Sequence, residues 1–196
     1  MESGANQLSQ PEELIAALTP VVSAFEELKI RHYVGGSVAS SFHGAVRSTM
    51  DVDIVCELNL GAVKQFLDRL SSDFYASKPA IDEAVQKQSC FNLIHSPTSF
   101  KVDVFISRGR PFDRDCMERC KLETLSEHLQ VPIATPEDSI ISKLEWYRAG
   151  NEVSERQWDD VTKLIRLLGG QADLEYLEKA AASVGVSDLL DQLINS

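Results

Sequence analysis

The chain has 196 residues, 43% hydrophobic and 25% charged, the proportions of a soluble globular protein with a substantial core. A formal net charge of −11 argues against a broad basic surface, so tight, sequence-indifferent binding to duplex DNA is not expected. No apolar run approaches the roughly 20 residues that span a bilayer, and residues 1–10 lack the basic and apolar segments of a secretion signal, so no membrane association and a cytoplasmic location are expected.

Residues 1–9 read as a frayed leader. From Pro11, Leu14, Ile15, Leu18, Val21, Val22, Phe25 and Leu28 recur at helical spacing, and Pro20 should kink or split that helix. A short apolar strand at residues 32–34 runs into Gly35, Gly36 and Ser37, then a small-residue helix over 38–43, with His43 as a helix-end residue. Strand, tight turn and helix leave unpaired N–H groups that favour an anion such as phosphate. Gly36, without a Cβ, lets a ligand approach the backbone. The next strand, residues 47–55, carries Asp51 and Asp53, which point to one face because they are two apart.

Further on, the spacing predicts a helix over 60–70, a short strand within 73–77 and a helix over 79–88. Residues 91–95 and 100–106 alternate as a hairpin that brings in a third strand-borne acid, Asp103. Residues 108–121 read as a loop and short helix, and 131–134 as a last strand, with Pro132 marking it as an edge. Thr135 is an N-cap followed by Pro136, after which only helices are predicted, over 137–149, 155–168, 173–184 and 187–194. The organisation expected is an α/β core over 11–134 and a helical region over 135–196. Cys116 and Cys120 share a helix face but have no further partners at zinc spacing, so all four cysteines are expected as reduced thiols.

Paired carboxylates repel unless a cation lies between them, and Mg²⁺ often sits between one or two carboxylates and substrate phosphates. A phosphate-cradling turn with three strand-borne acids is equipment for metal-assisted phosphoryl or nucleotidyl transfer. At Gly36-Ser37, Arg47-Ser48-Thr49-Met50-Asp51-Val52-Asp53 and Asp103 the chain resembles the nucleotidyltransferase superfamily related to DNA polymerase β. The Arg-x-Thr-x-Asp-x-Asp form looks most like small bacterial members grouped with the AbiEii-type toxins, and the resemblance spans roughly residues 12–168. It implies a mixed sheet flanked by helices and followed by a C-terminal helical bundle.

It also implies chemistry. Asp51 and Asp53 would hold Mg²⁺ (or Mn²⁺) bridging the triphosphate of an NTP. Asp103 would join a second ion and receive the proton of the attacking hydroxyl. Gly36 and Ser37 would grip the phosphates, and Arg47 would either pair with the carboxylates or contact a phosphate. Lys143 matches a family lysine that reaches the triphosphate from the helix after the sheet. Arg148 is the other candidate on that helix, although it is turned about 140° from Lys143, and both residues also suit a solvated face.

Leu144 and Trp146 are expected in the core, and Trp158 either there or stacked on a base. Arg156 and Asp159 have the spacing of a surface pair, and Asp160 is placed to lock Lys143 or Arg148. The acceptor implied is a tRNA 3′ end or a protein hydroxyl, with an antitoxin as a further partner. The alternative is a non-catalytic nucleotide-binding or antitoxin-type module. A small-molecule nucleotidyltransferase would need an acidic acceptor pocket.

Overall fold

The computed structural model describes residues 9–45, 49, 51–70 and 72–195. Helix α1 (Gln10–Glu27) opens with a capping box, Ser9 N–H donating to Glu12 Oε2 at 2.7 Å. It runs through Pro20 without splitting. Ala17 and Leu18 before the proline, and Val21, Val22 and Phe25 after it, are all buried, and anchoring on both sides outweighs one missing backbone bond.

Among the described residues one seven-stranded mixed sheet forms: β1 (His32–Val34), β2 (Asp51–Cys56), β3 (Phe74–Tyr75), β4 (Cys90–His95), β5 (Phe100–Ile106), β6 (Lys121–Ser126) and β7 (Leu129–Ile133), in the order β3-β4-β5-β2-β1-β7-β6. The β2–β5 and β1–β7 pairs are parallel, the others antiparallel. Helix α2 (Gly36–Phe42) follows β1, and α3 (Leu60–Arg69) and α4 (Lys78–Lys87) lie between β2 and β4. One face of the sheet is closed by an aromatic run: Phe25 stacks on Phe66 at 4.8 Å, and Phe66 meets Phe91 edge-on at 6.3 Å.

Two sheet expectations are corrected. Strand β6 falls partly where a loop was expected and partly where nothing was assigned; both of its faces are partly or fully exposed, so it lacks the alternation that marks a half-buried strand. β6 is the edge, and β7 is paired on both sides despite Pro132. The Ala134 N–H donates to the Val34 carbonyl, so the missing donor of Pro132, two residues earlier, also faces β1, where the pairing is a single register position, Val34↔Ile133.

After β5 come α5 (Pro111–Arg119), and, beyond β7, α6 (Pro136–Ala149), α7 (Glu155–Leu168), α8 (Leu174–Val184) and α9 (Ser187–Ile194). Helix α6 starts at Thr135, whose hydroxyl accepts from Asp138 N–H at 3.2 Å. The fully buried Asp138 carboxylate accepts from the hydroxyls of Thr135 (2.7 Å) and Tyr176 (2.5 Å), tying α6 to α8. Arg119 of α5 lies over the Tyr176 ring at 3.7 Å. Helix α6 also packs against α2, and its Lys143 lines a cleft shared with Gly36, Asp51 and Asp53. Among the described residues no helix is long and apolar enough to cross a membrane.

Candidate active site

The site starts from register. β2 and β5 run parallel with Asp51↔Lys101 and Asp53↔Asp103 as neighbours. Val52, Ile54, Val102 and Val104 alternate into the core at 0% exposure, so Asp51, Asp53, Lys101 and Asp103 share the other face. Burial, then the charges of Asp51 and Asp103, push the Asp53 carboxyl up to about 6, with Lys143 and Lys101 opposing. That is the mark of acids sharing one locality.

Each acid has a different setting. Asp51 Oδ1 accepts from the Thr49 hydroxyl at 2.6 Å. Asp103 has both oxygens engaged: Asn92 Nδ2 donates to Oδ1, and Lys101 Nζ lies 2.7 Å from Oδ2. Among the described residues no three ligating side chains are grouped tightly enough to cage an ion unaided. Asp51 and Asp53 nevertheless suit Mg²⁺, which accepts one or two carboxylates and takes the rest of its oxygens from water and phosphate. The raised Asp53 carboxyl is what such a cation would relieve.

Gly36 begins α2 at φ +56°, and a Cβ there would lie 1.6 Å from Asp53 Oδ2. Glycine is therefore required so that the acid can pass beneath the turn, a reason beyond ligand approach. Ser37, buried at 5% exposure, lines the same cleft. Gly36→Ala should displace Asp53 and weaken Mn²⁺ binding by about 10–100-fold, the range for residues that orient metal ligands, as read by titration calorimetry.

The cleft has a volume of about 680 Å³ and is walled by Tyr33, Gly36, Phe105, Arg110 and Trp146. Lys143 lines it too, 9% exposed, with its ammonium 2.8 Å from Asp160 Oδ2; Asp160 thus locks Lys143 rather than Arg148. Arg148 is not brought to the cleft. Its guanidinium lies 2.7 Å from Asp188 and 2.6 Å from Glu152, on the side of α6 that faces α9. The helical period explains the separation, since the two side chains leave α6 on different faces. Arg148→Ala should leave nucleotide affinity unchanged and lower the melting temperature slightly. Arg47 lies outside the described residues.

Trp146 was expected in the core and is instead 50% exposed, edge-on to Phe105 at 5.7 Å. Ile140, Ile141 and Leu144 fill the inner face of α6, which leaves the indole over the cleft. Trp158 packs beside Tyr147 at the margin of the core. Asp159 pairs with Lys163 and not Arg156, which lines the cleft. The Cys90 thiol, also in the cleft, is pushed up to about 12 by burial and by Asp103 and Asp53, so it is held protonated.

Sequence reasoning missed Lys101, although its place two residues before Asp103 in an alternating strand was enough to put both on one face. It missed Asn92 as well, whose place opposite Asp103 depends on the hairpin register. Arg110, which binds Asp113 at 2.8 Å and Glu145 at 2.6 Å to join α5 to α6, carried no local signal.

No family model and no curated protein matches the chain. Solved structures do. An antigenic nucleotidyltransferase-like protein from Paracoccidioides brasiliensis aligns over 93% of this chain and 92% of its own, with a TM-score of 0.55 and 19% identity. The antibiotic-resistance factor ANT(2'')-Ia aligns in solution over 93% and 96% (TM-score 0.53, 11% identity). Its complex with adenylyl-2''-tobramycin aligns over 87% and 95% (TM-score 0.54, 11% identity). At these identities the likeness is one of architecture: the chain has a nucleotidyltransferase-like fold.

Proposed function

We propose that the protein transfers a nucleoside monophosphate from an NTP to a hydroxyl at the 3′ end of an RNA. The observation that carries this reading is the register that sets Asp51, Asp53 and Asp103 on one face beside the Gly36 turn. Asp51 and Asp53 would hold the divalent ion, which when bound neutralises phosphate charge. Gly36, Ser37 and Lys143 would orient the triphosphate. The acceptor oxygen bonds to the α-phosphorus, the bond to the bridging oxygen breaks, and pyrophosphate leaves with its electron pair. Asp103 receives the hydroxyl proton on a lone pair not used by Lys101 or Asn92.

Charge bookkeeping within the cleft favours an anionic acceptor. Asp113 and Glu145 are committed to Arg110, and Asp160 to Lys143. Beyond the metal pair, little carboxylate is left for the amines of an aminoglycoside such as the tobramycin of ANT(2'')-Ia. Arg156 makes no ion pair among the described residues, and Arg108 stands 3.7 Å from its nearest carboxylate, Glu145. The guanidinium of Arg156, that of Arg108 at the long end of its pairing with Glu145, and the exposed Trp146 suit phosphates and a stacked base. A toxin–antitoxin setting is an expectation of the resemblance alone.

The test is incubation with Mg²⁺, each labelled NTP, and separate pools of RNA, protein and tobramycin. Label on RNA, absent with Asp53→Asn, supports the reading; label on protein or tobramycin only, or none at all, rejects it. The second reading, a nucleotide-binding module without turnover, is favoured by the engaged carboxylate of Asp103. It predicts a thermal shift with nucleotide and no transfer.

A further inference from the structure

Asp103 is the acid that a second metal ion would need, and the chain already supplies it with a cation. Lys101 leaves β5 on the same face, two residues earlier, and its neighbour across β2 is Asp51. Its ammonium lies 2.7 Å from Asp103 Oδ2. The other lysine of the site, Lys143, is committed to Asp160. Three carboxylates against the single charge of Lys101 leave a balance of −2, which one divalent ion cancels.

Resting on the nucleotidyltransferase reading above, we propose that Lys101 takes the place of a second divalent ion, so that the site holds one ion, on Asp51 and Asp53, and not two. Lysine suits the role: its head group is a compact point charge with three donors on a flexible stem. With its side chain 43% exposed, it can follow Asp103 and a phosphate oxygen without leaving the strand face. Asn92, donating to the other Asp103 oxygen, completes the shell that a second ion would otherwise organise.

The experiment is to grow crystals of the full chain and of Lys101→Met and Lys101→Arg, soak each with Mn²⁺ and a non-hydrolysable NTP, and read anomalous difference density. One manganese peak is expected in the wild type and in Lys101→Arg, and two in Lys101→Met, the added one against Asp103. Two peaks in the wild type, or one in Lys101→Met, overturn the role of Lys101 while leaving the transferase reading standing. No peak in any of the three proteins overturns both.

Discussion

Asp53→Asn should abolish nucleotidyl transfer and, without metal, raise the melting temperature. The loss of transfer should be at least about a thousandfold, because metal-borne charge stabilisation is worth several kcal/mol and each ~1.36 kcal/mol is tenfold in rate. The gain in stability follows from linkage. Asp53 stands at about 6 in the folded chain against an ordinary 3.8, raised first by burial and then by Asp51 and Asp103. Between those values the folded state binds more protons than the unfolded one. Stability therefore falls as pH rises from about 4 to about 6, by about 2–3 kcal/mol, and stays reduced above that. Asparagine removes this penalty, and Mg²⁺ should offset it only in the wild type. Melting curves from pH 4 to pH 8, with and without Mg²⁺, measure both effects. A variant that melts below the wild type at pH 7.5 without metal, or that retains transfer, contradicts the account.

Asp160→Ala should be among the most destabilising single changes in the cleft, costing about 3–5 kcal/mol, because it strands a buried ammonium. The side chains of Lys143 and Asp160 are 11% and 5% exposed and 2.8 Å apart. A buried pair of this kind is weak evidence of net stabilisation, since its mutual attraction mainly offsets desolvation. The double change Lys143→Met with Asp160→Leu should therefore recover most of the stability lost by Asp160→Ala. It should not recover nucleotide affinity, because the amine proposed to orient the triphosphate is gone. Urea unfolding and a nucleotide titration on all three proteins separate these terms. Restored affinity in the double variant would remove Lys143 from the site.

What could be read from the sequence was what short-range periodicity encodes. The alternation in β2 and β5 placed Asp51, Asp53 and Asp103 on strand faces, and the glycines marked the turn before α2. The helical angle between Lys143 and Arg148 was also legible, and it accounts for one reaching the cleft while the other turns to Asp188. What escaped depends on pairing across the chain. Asn92 meets Asp103 only through hairpin register, and β7 becomes interior only because β6, an exposed strand with no pattern, adds beyond it. The outward Trp146 escaped because composition favours burying an indole, whereas α6 had already spent its inner face on Ile140, Ile141 and Leu144.

The parallel pairing of β2 with β5 has a consequence for how the site comes into being. Its two facing acids are 50 positions apart in the chain (103 − 53), and two helices and two further strands intervene. Closing a loop of that span is among the slower steps available to a chain of this size. Asp103 consequently adds its charge to the Asp51 and Asp53 pair only once β5 has docked on β2. A fragment ending before Phe100 would keep Asp51 and Asp53 on β2, and β1 to pair with it, yet lack the parallel neighbour that brings Asp103 alongside. The three-acid face is thus a property of the assembled sheet and of no contiguous segment of the chain.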